Sequence, residues 1–505
     1  MRVSTLALLR VVARGYALRL WTLSSGIPHA VGIDEPAIMT TVVRILKSGD
    51  FNPHFFEYPT GLIYVQLGTA VVNFLFGAMS HSWKAVEQVG PSDFYLWGRF
   101  VTATLGAVTI LLVHQAGLRW GSRHALLAAG LLAVAPMHVR ESHFVLTDVP
   151  LTFCVTLTFL LALRAAEKPA LLAFVAAGAA AGLTAGVKYN GLMAVSMPLV
   201  AAFMSGHRRS AQLTWALAAA ATCVAAFFVT TPYAIFAMPE FLNGFGTQAA
   251  AFSPRQPTAE ASWLIYLKHL RLTFGWPGSL LAVAGLALAI LRAVRGPGHV
   301  RWALLLVFPA VYFYLITGWT FLFARYALPM VPFITLWIAI ATISGVSLLR
   351  RWDIPRAMRT SIIAALTLAA VLPPLYSSVQ WVRGHGVVTT QTLAWQWVRK
   401  MVWPNSVIVS EVQGFDLPAE RYRAETVRSL VRERPLEALE AAGVQWVVLS
   451  SDAWERWSDE DRKAGRPPDA YDPLVAAARV AKVIMPSATN PGPQIHILEL
   501  TRRAP

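Results

Sequence analysis

Three carboxylates stand close together near the start of the chain. Gly32-Ile33-Asp34-Glu35-Pro36 places two side by side, and Phe56-Glu57-Tyr58-Pro59-Thr60 adds Glu57. A carboxylate can take the proton from an attacking hydroxyl, so Asp34 is the candidate general base. Glu35, Glu57 and the later Asp148 are further candidate catalytic acids. Lys188 and Arg325 fall at the ends of apolar runs, and cations of that kind suit a phosphate that is bound or expelled as an anion. Arg99 opens another apolar run, and His138, Arg140, His143, Tyr189 and Tyr233 are candidates to touch an acceptor or brace the other groups. Arg255 belongs to the same outward-facing polar set. Plainer readings stand beside these. Acids before Pro36 suit a helix N-cap, Asp148 could cap its own span, and Lys188 or Arg325 could snorkel to head groups. The spacing of His138 and His143 is not the i, i+4 pair of a helical metal site, so no metal ligand is assigned. No Gly-rich nucleotide loop is present. No cofactor is assigned, and a divalent metal is left open.

The elements that must position these residues are membrane spans. Of 505 residues 56% are hydrophobic and only 14% charged, against about a quarter charged in soluble domains. Uncharged runs at 100–118, 169–187, 210–239 and 302–324 approach the ~20 residues that cross hydrocarbon as a helix. The net charge is +16, yet 27 Lys and Arg against 12 Asp and Glu precede Arg383. The basic excess therefore sits in the membrane half, where it reports topology and not nucleic-acid binding. Basic clusters at 119–123, 164–168, 207–209, 292–301 and 350–359 all become cytoplasmic if one span, 98–118, separates them from the Asp34 loop. That places the loop 29–97 outside and predicts an interfacial or re-entrant helix at 58–79. Residues 1–28 read as a first span interrupted by Arg10, Arg14 and Arg19, with no cleavable signal. Cys154 and Cys223 both lie in apolar runs, which excludes a disulfide framework. Gly178, Gly182 and Gly186 repeat at the spacing of close helix packing. The expectation is an α-helical polytopic membrane protein of about eleven crossings.

The composition turns soluble after residue 376. Residues 390–402 and 427–442 read as helices, and 406–412, 444–450 and 494–500 as strands. This predicts a transmembrane catalytic domain over 1–376 and a small extracytoplasmic α/β domain over 377–505.

The ordered series Asp34-Glu35, Phe56-Glu57-Tyr58-Pro59, Gly98-Arg99, Pro136 to His143, Thr147-Asp148-Val149-Pro150, Lys188-Tyr189-Asn190-Gly191, Thr231-Pro232-Tyr233 and Arg325-Tyr326-Ala327-Leu328-Pro329 resembles the protein O-mannosyltransferase and aminoarabinose-transferase family. These are GT-C glycosyltransferases, and the similarity spans nearly all of the membrane half. The resemblance implies transfer of a sugar from a polyprenyl-phosphate carrier to an acceptor at the extracytoplasmic face, and the composition suggests a bacterial inner membrane as its home. It implies Asp34 as the catalytic acidic residue of the first outer loop. Arg99, Asp148 and Lys188 match family positions near the donor or catalytic centre. The acceptor is left open among protein hydroxyls, lipid A and another surface glycan. The competing class is a transporter or lipid flippase, which would place ionisable residues at mid-membrane and show inverted repeats. A sensor or scaffold would leave the polar set without a purpose.

Overall fold

A computed structural model of the chain describes residues 3–27, 32, 34–252, 260–295, 298–346, 354–412, 415, 417, 421–454, 463, 465 and 467–500. Arg255 and part of the 350–359 basic cluster lie outside the described residues. The chain forms two compact units: Met1–Leu23 with Ala37–Val382, and Ser24–Pro36 with Arg383–Pro505.

The first unit is helical. In order come α1 (Val3–Leu20), α2 (Glu35–Ser48, begun in the other unit), α3 (Gly61–Met79), α4 (Tyr95–Gly117), α5 (Ser122–Ala133), α6 (Pro136–Glu141), α7 (Asp148–Glu167) and α8 (Leu171–Val187). Then follow α9 (Ser196–Phe203), α10 (Arg209–Thr230), α11 (Tyr233–Phe236), α12 (Met238–Ala251), α13 (Ser262–Arg295), α14 (His299–Thr317), α15 (Val331–Ile340) and α16 (Arg356–His385). Among the described residues, eight helices are long and apolar enough to cross a membrane, and 171–187 and 189–203 are shorter apolar helices. Gly61–Met79 is one of the eight, so by length and composition it could span where the sequence reading expects an interfacial helix. α1 is not among them, because Arg10, Arg14 and Arg19 lower its hydropathy.

Two local features follow from residue type. α13 breaks at Gly275 (φ 66°, ψ 177°), a conformation open to glycine, before Pro277 starts the second segment. α8 lies directly against α10. A Cβ on Gly178 would fall 2.2 Å from the Ala219 carbonyl oxygen, one on Gly182 2.2 Å from that of Cys223, and one on Gly186 2.0 Å from Thr230 Oγ1. The glycine repeat is therefore the contact face, as its spacing predicts.

Arg19, in the last turn of α1, is fully buried. Its Nη1 donates to the carbonyls of Gly15 (2.7 Å) and Ala133 (3.0 Å), and its Nη2 to Leu132 O (3.1 Å) and His138 Nδ1 (2.9 Å). Carbonyls left over at the end of α5 thus satisfy a guanidinium that would otherwise be costly to bury.

The second unit holds a five-stranded sheet: β1 (Val407–Ser410), β2 (Arg423–Thr426), β3 (Trp446–Ser450), β4 (Ala478–Ile484) and β5 (Ile495–Leu500). The order is β2-β1-β3-β5-β4, with β1 parallel to β2 and β3, and β5 antiparallel to β3 and β4. Alternation along the strands sorts the core. Ile408, Val448 and Ile497 pack with Ala394 and Val398 of α17 (Thr390–Met401). Val409, Val447, Leu449 and Leu498 pack on the other face with Leu430, Leu439 and Leu474. These come from α18 (Leu430–Glu433), α19 (Leu436–Ala441) and α20 (Asp472–Ala476). The helix expected over 427–442 is split into α18 and α19, because Pro435 cannot continue a helical ladder. Glu411, 2% exposed, closes the carboxyl ends of β1 and β3 by accepting from Leu430 N (2.7 Å), Ser450 N (3.2 Å) and Tyr471 Oη (2.8 Å).

Candidate active site

The charged centre of the first unit forms where three helix ends meet. Asp148 is the first residue of α7, so its carboxylate caps the positive end of the helix dipole. α8 stops at Val187. Lys188 is extended (φ −155°, ψ 133°) and leads into a 3₁₀ segment, Tyr189–Val195. Gly191 allows that turn, since a Cβ there would lie 2.3 Å from the Thr184 carbonyl oxygen. Lys188 Nζ donates to Asp148 Oδ1 at 2.8 Å, and Arg325 Nε stands 3.6 Å from Oδ2. Side-chain exposures of 2% for Asp148, 10% for Lys188 and 14% for Arg325 keep this triad largely out of water. Lys188 Nζ also sits 4.6 Å above the Tyr326 ring, and the Arg325 guanidinium 4.9 Å above Phe323.

Lys188 opens onto a cavity of about 600 Å³. Glu57, Tyr58, Tyr189 and Asn190 line it beside Lys188. The rest of the wall is apolar and largely aromatic, with Phe227, Phe228, Phe241, Phe245, Phe252 and Trp319. It reaches the molecular surface through the exposed Leu192, Val224 and Phe245. Tyr189 Oη donates to the Phe56 carbonyl (2.8 Å), and Asn190 Nδ2 to Tyr312 Oη (2.9 Å), which fixes the polar end. An ammonium has three donors, and Asp148 engages one; the others are free to meet an anion entering the cavity.

The remaining candidates are placed as follows. Glu57 is exposed at the cavity. Arg99 is fully buried, donates to Leu23 O (3.0 Å), lies 5.4 Å from the Phe144 ring centroid and does not line the cavity. His138 accepts from Arg19, and the His143 ring nitrogens face the carbonyls of Val139 (2.8 Å) and Trp21 (2.9 Å). The Arg140 side chain, 43% exposed, binds Glu141 Oε1 through Nε (2.8 Å) and Nη2 (2.5 Å). Tyr233 lines a different groove with Tyr64 and Val229. Asp34 and Glu35 belong to the second unit. There Glu35 is fully buried and accepts from Gly32 N (2.6 Å), while Asp34 is half-buried. Among the described residues, no group of three or more His, Cys, Asp or Glu is arranged to hold a metal.

Sequence reasoning passed over four contributors. Glu141 is 3% exposed beside the centre, and burial pushes its carboxyl above the usual range while Arg140 opposes the shift. Tyr326 supplies the face under Lys188. Phe241 and Phe245 of α12 supply the cavity wall, and their i, i+4 spacing was a readable helical signal.

Residues 57–243 match the model of the dolichyl-phosphate-mannose-protein mannosyltransferase family. No curated protein sequence matches the chain. Among solved structures, ArnT from Cupriavidus metallidurans bound to undecaprenyl phosphate is similar over 99% of this chain and 98% of that one, at 15% identity and TM-score 0.61. The oligosaccharyltransferase of Archaeoglobus fulgidus in the apo form is similar over 89% of this chain and 69% of that one, at 14% identity and TM-score 0.60. The archaeal oligosaccharyltransferase AglB, in complex with an inhibitory peptide and a dolichol-phosphate, covers 88% and 69%, at 14% identity and TM-score 0.58. The resemblance read from the sequence holds: the chain has the GT-C glycosyltransferase fold, and its residues 57–243 match the mannosyltransferase family model.

Proposed function

We propose that the protein transfers a sugar from a polyprenyl-phosphate carrier to an acceptor hydroxyl at the extracytoplasmic face of a plasma membrane. The observation that carries this reading is Lys188, a cation at the polar end of a long aromatic-walled cavity. A polyprenyl phosphate has that division, an apolar tail ending in an anion. The lipid phosphates in the solved ArnT and AglB complexes support the same donor class. In the proposed reaction Lys188 holds the phosphate, Arg325 adds charge behind it, and Asp148 orients both cations. Asp34 takes the acceptor proton as the sugar–phosphate bond breaks and the polyprenyl phosphate leaves as the anion. Glu35 and Glu57 are proposed to assist at the acceptor side, Arg99 to support the donor site through the helix it anchors, and His138, Arg140, His143, Tyr189 and Tyr233 to shape its surroundings. No step in this scheme is routed through a metal.

The test has two parts. Deleting the gene should cause one polyprenyl-phosphate sugar to accumulate in the membrane, and that lipid identifies the donor. The isolated lipid is then given to purified protein together with membrane extract of the deletion strain, which supplies the unmodified acceptor. Wild type should release polyprenyl phosphate, and Asp34→Asn should lose at least ~10²-fold in turnover, the scale of a general base, while still binding the lipid. Full turnover in Asp34→Asn removes Asp34 from the reaction. No accumulating lipid-linked sugar removes the donor class.

A further inference from the structure

A second groove, of about 590 Å³, lies between α1, α5 and α16 and shares no lining residue with the cavity at Lys188. Val11 and Leu18 form one wall, Gly130 and Val134 the floor, and Val371 and Leu375 the other wall. Gly130 leaves the floor open, since a Cβ there would meet no atom within 4 Å. The groove is apolar apart from one charged side chain, Arg14. Arg14 is exposed and makes no hydrogen bond or ion pair among the described residues. Arg10, also exposed, stands one helical turn before it on the same face.

These two arginines sit within an 18-residue helix of otherwise mostly apolar side chains. At ~1.5 Å per residue Arg14 is roughly 9 Å from the end of that helix. A guanidinium at such a place in a membrane protein is costly unless it meets an anion or a polar partner. Among the described residues no carboxylate lines the groove to supply one. What completes the arrangement is an anion joined to an apolar chain. We infer that the groove binds an anionic glycerophospholipid, with its phosphate on Arg14, Arg10 adding charge, and one acyl chain lying over Gly130. The occupied groove would brace the α1–α5 contact that Arg19 pins through the Ala133 carbonyl. Binding to the folded state alone then stabilises the bundle.

The experiment uses the full chain, purified and delipidated in detergent. Phosphatidylglycerol, phosphatidylcholine of the same acyl chains, and undecaprenyl phosphate are titrated separately, read by native mass spectrometry and thermal melting. Wild type should retain phosphatidylglycerol in preference to phosphatidylcholine and melt several degrees higher with it. Arg14→Gln should lose about tenfold or more in phosphatidylglycerol affinity, the loss of one charge-assisted contact. Gly130→Leu keeps the charge but fills the groove, and should lose the same response. Both variants should bind undecaprenyl phosphate as wild type does, which reports that they are folded. A photoactivatable phosphatidylglycerol on wild-type protein should label residues 130–134, a readout that needs no variant. Equal responses to the two phospholipids, an undiminished response in Arg14→Gln, labelling elsewhere on the bundle, or displacement of phosphatidylglycerol by undecaprenyl phosphate would each overturn the assignment.

Discussion

Asp148 holds the charged centre together, because two cations converge on one carboxylate that water hardly reaches. Breaking a buried pair leaves a charge uncompensated, at a cost of about 3–5 kcal/mol. Asp148→Ala should therefore lower the melting temperature clearly, and Asp148→Asn less, since the amide oxygen still accepts from Lys188 Nζ. Thermal melts in detergent check this, and equal melting of Asp148→Ala and wild type would deny the centre its structural role. Much of this centre was legible at the level of single residues. Lys188, Arg325 and Asp148 stand out as charges at the ends of apolar runs. Their pairing was not legible, because it depends on how α7, α8 and the Ala324–Met330 segment pack across long sequence separations. The same holds for Arg19 and His138, whose 2.9 Å contact joins residues 119 apart and gives both a structural duty. An arginine in a first span reads from sequence as a snorkelling side chain; only the fold shows the carbonyls waiting for it.

Among the elements, α12 has the least support from sequence and a direct place in the cavity. It is tied to the loop after α2 by a cluster in which His54 Nδ1 meets Glu240 Oε2 (2.7 Å) and Nε2 meets Asp50 Oδ2 (2.9 Å). Asn52 Nδ2 also reaches Glu240 (3.2 Å), and Arg44 donates to the Asn52 carbonyl (2.5 Å). The His54 backbone is held at φ 45°, an uncommon conformation for a side-chain-bearing residue. The two carboxylates raise the His54 imidazole above its ordinary value, with Asp50 first, while burial and Arg44 oppose them. The Asn52 backbone and His54 lower Asp50. A raised histidine contributes fully below about pH 6.5 and is lost as pH rises through its folded value. A lowered aspartate contributes above about pH 3.8 and is lost as pH falls through its folded value. The protection of Met238–Ala251 from hydrogen exchange, taken relative to the unfolded chain at the same pH, should thus be greatest at mildly acidic pH and fall on the alkaline side. His54→Gln should abolish that pH dependence; a wild-type profile in the variant would show that the clasp does not hold α12. The elements missed from sequence have a common cause. β2 is exposed along its length and β4 at Arg479, Val480 and Lys482, so both carry charged residues and lack the apolar signature that revealed β1, β3 and β5. α12 is amphipathic and short, so it registers neither as a span nor as a buried helix.

At the scale of the whole molecule, the composition announced a helical membrane bundle followed by an α/β unit, and both are present. The number of crossings was harder to read. Kinked α13, the 189–203 segment and the arginine-bearing α1 do not divide into regular twenty-residue runs. Orientation rests on the basic clusters, and it can be tested by labelling. In a background with Cys154 and Cys223 replaced by alanine, a membrane-impermeant thiol reagent added to intact cells should modify Phe51→Cys and spare Ser122→Cys. Labelling of both would mean that Gly61–Met79 crosses as well as α4, and labelling of Ser122→Cys alone would invert the topology.

The most direct test of the donor site is the affinity of the purified full chain, in lipid nanodiscs, for undecaprenyl phosphate. Wild type should bind it saturably. Lys188→Met should weaken binding by roughly 10- to 100-fold, the loss of a charged hydrogen bond worth ~1.5–3 kcal/mol, with Lys188→Arg retaining part of it. The charge-neutral double variant Asp148→Asn, Lys188→Met removes the orphaned carboxylate and should be as weak. Undiminished affinity in both Lys188→Met and the double variant, or no saturable binding by wild type, would contradict a lipid-phosphate donor held in this cavity.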